Sequence, residues 1–357
     1  MSPVGRRALF VLTDTSPYGA SRVAAAYRRG LLDAGWTVDD VDRWGRGPAP
    51  DDLASEGPAD PSPPVDLVVA VHLASGPGAA WLARRHGAAL VVLAQNQLRF
   101  RGPRLVRGVK RRVHRLAVDR ADAVVAVSAQ VAGEIRSSCG PRRVVVIDNA
   151  VADPGPVEVD RSATTIVAVG RLHPQKGFDL LVAAMPKVLA AEPAARLEIV
   201  GGEVPGAPGY RHLLEALAER LGVADAIDFV GLQHDVDARL AGAAVAVVPS
   251  RWDGRSLAAL EAMAAGVPVV VSDRCGVDGF VDGTHGALVE TAGADVASAL
   301  DDPVVPRLAD AVVWTLASSP SDRAARAAAA RHLALARTPD QMASEFAELV
   351  GELTKTR

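Results

Sequence analysis

The stretch SRWDGRSLAALEAMAAGVPVVVSD, residues 250 to 273, holds two carboxylates, Asp253 and Glu261, ahead of its closing Asp273. Glu261 stands in a run otherwise made of Ala, Leu and Met, and the run is followed by Val267–Val271, which reads as a buried strand. A helix packed into a core rarely holds an unpaired charge, since removal from water is costly without a counterpart. Glu261 therefore requires a partner, either a protein group or a ligand. Asp253 precedes it by eight positions, in the loop ahead of the helix. Between them Ser256 is suited to cap a helix beginning at Leu257, which leaves the amides near Ser256 and Leu257, with Arg255 alongside, for an anion. Leu257, Leu260 and Ala264 recur at helical spacing and form the packed face. Each carboxylate oxygen accepts from a hydroxyl, and vicinal diols present two donors together, so Asp253 and Glu261 suit a sugar and a ribose.

Cations stand in a second stretch, VGRLHPQKGFDLLVAA, residues 169 to 184. Lysine is scarce in this chain (Lys110, Lys176, Lys187 and Lys355), so each one merits attention. After Gly170, Arg171 and Lys176 lie in a loop leading into a helix that starts near Gly177–Phe178, where both cations and the helix N-terminus can face one diphosphate. An isolated Arg-x4-Lys equally describes two solvated loop charges. Gly201 and Gly202 end another apolar run and permit close backbone approach, although such a pair alone is more often a tight turn. Gly231 and Leu232 end a further run, where backbone contacts to a base are expected.

The elements that carry these residues are apolar runs alternating with amphipathic stretches, the pattern of parallel sheets covered by helices on both faces. Strands are expected at Ala8–Thr13, Trp36–Val41, Val65–His72, Ala88–Ala94, Ala123–Val127 and Val144–Ile147. The pattern then restarts at Thr164–Val169, Arg196–Val200, Ala226–Val230, Ala243–Val248, Val267–Val271 and Ala287–Val289. The periodicity breaks at DNAVADPGPVEVDRSATT, which places a hinge near 152 to 162 and two doubly wound domains at 1–155 and 156–337. Helical patterns at Asp322–Ala336 and Asp340–Leu353 close the chain, and the last of them, within 338–357, is a candidate to pack back on the first domain. The Pro, Gly and Asp-rich stretch 45 to 64 reads as a mobile surface loop. In such sheets ligands bind beyond the carboxyl ends of the strands, which is where every candidate above falls.

A chain of 357 residues exceeds one usual core. Hydrophobic content of 49% and charged content of 23% are those of a soluble globular protein, and a net charge of −3 favours no nucleic-acid partner. Cys139 and Cys275 are far apart, in no metal-ligand spacing, so neither a disulfide framework nor a zinc site is expected, and the compartment reads as a reducing cytoplasm. The apolar run after Arg6 and Arg7 is too short for a signal or membrane-spanning segment. The two DVD triplets, Asp40–Asp42 and Asp235–Asp237, read as surface charges rather than a metal site.

Taken in order, VGRLHPQKGFDLL, EIVGG, FVGLQHD, VVPSRWDGRSLAALEAMAAGVPVVVSD and DGTHGALV resemble the second domain of retaining GT-B glycosyltransferases of family four, the glycosyltransferase group 1 domain, over about residues 164 to 300. The resemblance implies a GT-B fold, two Rossmann-like domains facing each other across a cleft, with a nucleotide-diphosphate-sugar donor on the second domain and an acceptor of unassigned class on the first. Arg171 and Lys176 take the place of the diphosphate-binding pair, Glu261 that of the second Glu of an E-x7-E motif holding the ribose, and Asp253 that of the first Glu, which contacts the transferred sugar. In the first domain DTSPYGASRVAAAYRRGLLDAGWTV resembles the family's opening Gly-loop and helix, with Gly19 and Ala20 where a Gly pair is common. Asn96 stands where many members have a His, Asp253 is one methylene shorter than Glu, and Gly279 replaces a frequent Glu. His72, ending its strand, is a candidate acceptor contact or a structural strand-end residue.

The resulting expectation is a retaining, metal-independent enzyme that uses a UDP- or GDP-linked sugar and no cofactor. A degenerate nucleotide-sugar-binding regulatory or partner protein and, less so, a sugar-nucleotide epimerase are the alternatives. Arg99, Arg101, Arg104, Arg107, Lys110, Arg111, Arg112 and Arg115 form a basic run within 99–115, open to three readings: a solvated helix face, a site for an anionic acceptor, or a peripheral contact with a membrane surface.

Overall fold

The structure, a computed structural model, describes residues 5–12, 19–42, 64–97, 104–155, 164–204, 206–233, 235–291 and 299–355, with the backbone alone at 104–107 and 110. The chain forms two compact units, Met1–Asn149 with Pro339–Arg357, and Ala150–Thr338. The first unit therefore ends ahead of the proline-broken stretch at 152–162. Val151 already packs with Leu260 and Met263 in the core of the second unit, and Asp153 accepts from Arg331 at 2.5 Å in the same unit. Residues 45–63 of the expected loop and 156–162 of the expected hinge lie outside the described residues.

In the first unit β1 (Arg7–Leu12), β2 (Thr37–Asp42), β3 (Leu67–Ala70), β4 (Ala89–Ala94), β5 (Ala123–Ala126) and β6 (Val144–Val146) form one parallel sheet in the order β2-β1-β3-β4-β5-β6. Helices α2 (Gly76–His86), α3 (Arg104–Asp119) and α4 (Ala129–Ser138) join strands that step the same way across the sheet, which puts them on one face. Their residues Leu82, Val118 and Ile135 pack against Val68, Val92 and Val124. Helix α1 (Gly19–Asp33) packs against the last helix, α11 (Pro339–Lys355). Tyr27 stacks on Phe346 at 4.3 Å between ring centroids. A Cβ at Gly30 would stand 2.5 Å from the Ala343 carbonyl oxygen, so this close crossing needs a glycine.

The second unit holds β7 (Thr165–Val169), β8 (Arg196–Val200), β9 (Ile227–Gly231), β10 (Val245–Val248), β11 (Val269–Ser272) and β12 (Ala287–Val289) in the order β12-β11-β10-β7-β8-β9, all pairs parallel. Strand alternation divides the core. Ile166, Val245, Val247 and Val270 face one side with α5 (Phe178–Ala191), α6 (Tyr210–Arg220) and α9 (Val304–Ala317). Val167, Ala246, Val248 and Val271 face the other with α8 (Leu257–Ala264) and α10 (Pro320–Leu335). α7 (Val236–Ala241) precedes β10. The chain runs from β7 outward to β9, then returns to the other side of β7 as β10. The order thus reverses between β7 and β10, so the loops after these two strands splay apart over a crevice at their carboxyl ends, the ligand position of open parallel sheets.

Candidate functional site

The two loops at that crevice are Gly170–Gly177 and Pro249–Ser256, and they carry the chemistry read from the sequence. Lys176 Nζ stands 2.6 Å from Asp253 Oδ2, with the side chains 13% and 11% exposed. Asp253 is fixed on its other sides: its N–H donates to the Arg274 carbonyl at 2.8 Å, and its Oδ1 accepts from the Gly254 N–H at 3.1 Å. Gln175 stitches the loops together. Its Nε2 donates to the Trp252 carbonyl at 3.0 Å, its carbonyl accepts from the Arg251 N–H at 2.8 Å, and its Oε1 is 3.4 Å from Arg171 Nη2.

Beneath the loops lies a buried charge network that sequence reasoning missed. Arg251 forks onto Asp179 with bonds of 2.6 and 2.7 Å and donates to the Pro174 carbonyl at 3.0 Å. Tyr210 Oη donates to Asp179 Oδ1 at 2.7 Å. Burial, and then the adjacent Asp179 carboxylate, push the Tyr210 phenol far above its ordinary range. Bidentate pairing is the arrangement in which a buried ion pair can offset its desolvation. An Asp in the first turn of α5, followed by the apolar run Leu180–Met185, was the available signal.

The glycines serve the backbone. Gly170 N–H donates to the Val200 carbonyl, Gly201 N–H to Gly231, and Leu172 N–H to Gly202, each at 2.9 Å, so the ladder continues past the strand ends. A Cβ at Gly201 (φ +150) would fall on the Gly170 carbonyl oxygen at 1.8 Å. Contact between neighbouring strand ends is by itself enough to require a glycine at Gly201. Gly177 (φ +69) lies against the Pro249 carbonyl oxygen in the same way, 2.1 Å from an added Cβ.

Ser256 caps α8 by accepting from the Ala259 N–H. Its own N–H, expected to serve an anion, instead donates to the Cys275 carbonyl at 2.8 Å. Arg255, with a side chain 9% exposed, is 3.9 Å from Asp278. Leu260 and Ala264 are buried, Leu257 is half-buried, and Glu261 lies half-buried on α8. Leu232 is 51% exposed just past β9. Gly279 has φ +82, which a side chain rarely adopts, and this accounts for a glycine in place of the carboxylate. Burial raises the Cys275 thiol to about 11, and it donates to the Val248 carbonyl.

In the first unit Gly19 and Ala20 form the first turn of α1 rather than a loop; residues 13–18, Asp14 among them, lie outside the described residues. Gln95, not singled out in the sequence, ties three candidates together. Its Nε2 donates to the Val71 carbonyl at 2.9 Å, next to His72, and to the Ala20 carbonyl at 3.3 Å, while Asn96 follows it. His72, half-buried, begins a single 3-10 turn in which the Ser75 hydroxyl donates to the His72 carbonyl at 2.8 Å. The Gln97 amide is buried with no hydrogen-bond partner on either atom. Asp40 pairs with Arg28 at 2.5 Å, and Asp235 caps α7, so both triplets carry structural charges. Both thiols are free. Among the described residues no cluster of three or more His, Cys, Asp or Glu is placed to hold a metal ion, and no helix is long and apolar enough to cross a membrane.

Comparison with known proteins agrees with this architecture. Residues 163–304 match the model of the family described as glycosyl transferases group 1, and residues 11–150 match a glycosyl transferase 4-like domain. The chain belongs to the group 1 glycosyltransferases of GT-B fold. It is 37% identical over 194 residues to the D-inositol 3-phosphate glycosyltransferase of Geodermatophilus obscurus, covering 48% of this chain and 43% of that protein. The chain spans about half, or less, of the length of the curated relatives it matches. Among solved structures, sucrose-phosphate synthase of Thermosynechococcus elongatus superposes with a TM-score of 0.81 at 20% identity, covering 99% of this chain and 100% of that one. Anabaena HepE in complex with UDP-glucose superposes with a TM-score of 0.74 at 18% identity, covering 97% and 99%. Identities this low establish the fold alone.

Proposed function

We propose that the protein is a retaining glycosyltransferase that moves a sugar from a UDP- or GDP-linked donor to a hydroxylated acceptor. The observation that supports this most is the Lys176–Asp253 pair at the β7/β10 reversal, a cation and a carboxylate 2.6 Å apart where an open parallel sheet binds its ligand. Lys176 and Arg171 meet the diphosphate, Asp253 the transferred sugar, and Glu261 the ribose. Arg255 and the first turn of α8 lie beside the phosphates, and Leu232 beside the base. The leaving diphosphate gains charge as the glycosidic bond breaks, and preorganised cations stabilise that charge without a metal ion or other cofactor. Asn96 and His72, gathered by Gln95 with Gly19 and Ala20, are the first unit's candidates for contact with sugar or acceptor. The relative's printed substrate, an inositol phosphate, fits a hydroxylated acceptor, and the UDP-glucose bound by HepE fits a hexosyl donor.

Calorimetry with UDP, GDP, uridine and guanosine tests the assignment. Lys176→Ala and Arg171→Ala should each weaken the bound nucleoside diphosphate by about 1.5–3 kcal/mol, the range for hydrogen bonds to charged groups, and leave the nucleoside unchanged. Equal weakening of both overturns the diphosphate role. Binding without hydrolysis or transfer of any nucleotide sugar makes the chain a nucleotide-sugar-binding protein instead.

The basic run gains a specific reading from α2 and α3. Val109, Val113 and Leu116 are 57%, 41% and 47% exposed on α3, interleaved with the exposed Arg111, Arg112 and Arg115. On the same sheet face α2 exposes Trp81 at 53%, with the Arg85 guanidinium 5.4 Å from its ring. Apolar side chains among arginines, with an exposed tryptophan, suit the surface of an anionic bilayer. Sedimentation with phosphatidylglycerol vesicles should pull down the protein, and phosphatidylcholine vesicles should not. Val109→Ser/Val113→Ser should lose the binding; undiminished binding refutes the surface.

A further inference from the structure

The cation assigned to the diphosphate already has an anionic partner within the fold. Lys176 and Asp253 are largely out of solvent, so a diphosphate and the Asp253 carboxylate compete for one ammonium group. The two partners differ in freedom. Asp253 is anchored through its own N–H to Arg274 and through Oδ1 to Gly254. Its loop is stapled from below by Gln175 and by the buried fork of Arg251 on Asp179. Lys176 reaches Asp253 along a flexible four-carbon stem laid over Gly170, where an added Cβ would meet its Cγ at 3.3 Å. The lysine is the member able to move.

We propose that Asp253 is a specificity-determining residue that acts in two stages. It holds Lys176 until a diphosphate draws the ammonium away, and the carboxylate so released accepts hydroxyl hydrogen bonds from the sugar carried by that diphosphate. This deepens the donor assignment and rests on it. A nucleoside diphosphate without a sugar takes the ammonium and leaves a largely buried carboxylate with nothing in return, which is costly. A nucleotide sugar supplies both partners, so the exchange discriminates in favour of the intact donor.

The exchange gives an outcome opposite to that of an ordinary contact residue. Asp253→Asn removes the competitor, keeps an oxygen for the Gly254 N–H, and should bind UDP or GDP more tightly, about tenfold for a release of 1.4 kcal/mol. Asp253→Ser, which also removes the charge, provides a second variant of different shape. A simple loss of negative charge near a phosphate would tighten binding in any background. In a Lys176→Met background the exchange has no ammonium to release, so Asp253→Asn should then have little effect.

Titration calorimetry of wild type, the three single variants and the Asp253→Asn/Lys176→Met double variant reads this directly. Tightening by Asp253→Asn that disappears in Lys176→Met supports the exchange. Equal tightening in both backgrounds overturns it in favour of through-space repulsion. Unchanged or weaker binding of Asp253→Asn and Asp253→Ser, with Lys176→Met still impaired, overturns the exchange while leaving the donor site intact. Failure of wild-type protein to bind either nucleotide overturns the donor assignment, and the exchange with it.

Discussion

Residue type and residue pairing carry different kinds of information. Lys176, Asp253 and Glu261 were conspicuous as ions in apolar or glycine-rich surroundings, and that suffices to nominate chemistry. What the sequence does not display is that Lys176 meets Asp253, since the two lie 77 positions apart and the contact exists only once the strand order reverses between them. Gln175 and Gln95 escaped notice for a related reason. A neutral amide has no charge to betray it, and its function here is to bridge carbonyls of separate loops. Gly201 meets a neighbouring strand, and a glycine that yields to a strand and one that yields to a ligand look alike in one dimension. Glu261 tests the residue scale most cleanly. Glu261→Gln keeps the shape but replaces one acceptor with a donor, and should weaken nucleotide binding by about 1.5–3 kcal/mol with the melting temperature nearly unchanged. A lowered melting temperature with normal affinity would assign the carboxylate to a protein partner instead.

Elements were the most legible level. The twelve described strands lie within a residue or two of their expected runs, and those such as β4, β5 and β10 stand out as continuous apolar blocks because a strand covered on both faces needs no polar alternation. The expected Val65–His72 strand was too long at both ends; its ladder spans Leu67–Ala70, and His72 turns away into the 3-10 turn closed by Ser75. The buried groups between elements have a consequence for pH. Cys275, after β11, has its thiol raised from 9.0 to about 11 by burial, and Tyr210, on α6, is raised for the same first cause. A group whose folded pKa exceeds its unfolded one holds its proton in the native state while the unfolded chain releases it. Its stabilisation is complete below the unfolded value and is lost as the pH rises toward the folded one. Melting temperature should therefore fall between about pH 9 and 11, and fall less in Cys275→Ala, which removes one of the two groups. Identical slopes for the variant and wild type would show that the thiol does not contribute.

At the scale of the whole chain, the sequence shows two repeats of one architecture, and the structure adds that α11 returns to close the first unit through Tyr27, Gly30 and Phe346. Amphipathic spacing nominates such a helix, within 338–357, for the first domain; the contact that receives it, a close crossing at Gly30 beside the Tyr27–Phe346 stack, is not visible in one dimension. Stereochemistry belongs to this scale too, because it depends on what the complete set of side chains supplies. An inverting transfer needs a base on the sugar face opposite the leaving group, ready to take the acceptor proton. His72 is the first unit's candidate named from the sequence, and it opens a turn held through its backbone by Ser75. A same-face transfer asks for less. The departing phosphate oxygen takes the acceptor's proton while Lys176 and Arg171 stabilise its remaining charge, and these cations stand at the strand reversal where the donor is assigned. The expected outcome is a product with the donor's anomeric configuration, α from an α-linked nucleotide sugar, formed at an undiminished rate in EDTA. Proton NMR of the product, through the coupling of its anomeric hydrogen, reads the first part. A β-linkage from an α-donor would require an opposite-face base and overturn the same-face mechanism, and activity lost in EDTA and restored by magnesium or manganese would show that the two cations need a metal ion beside them.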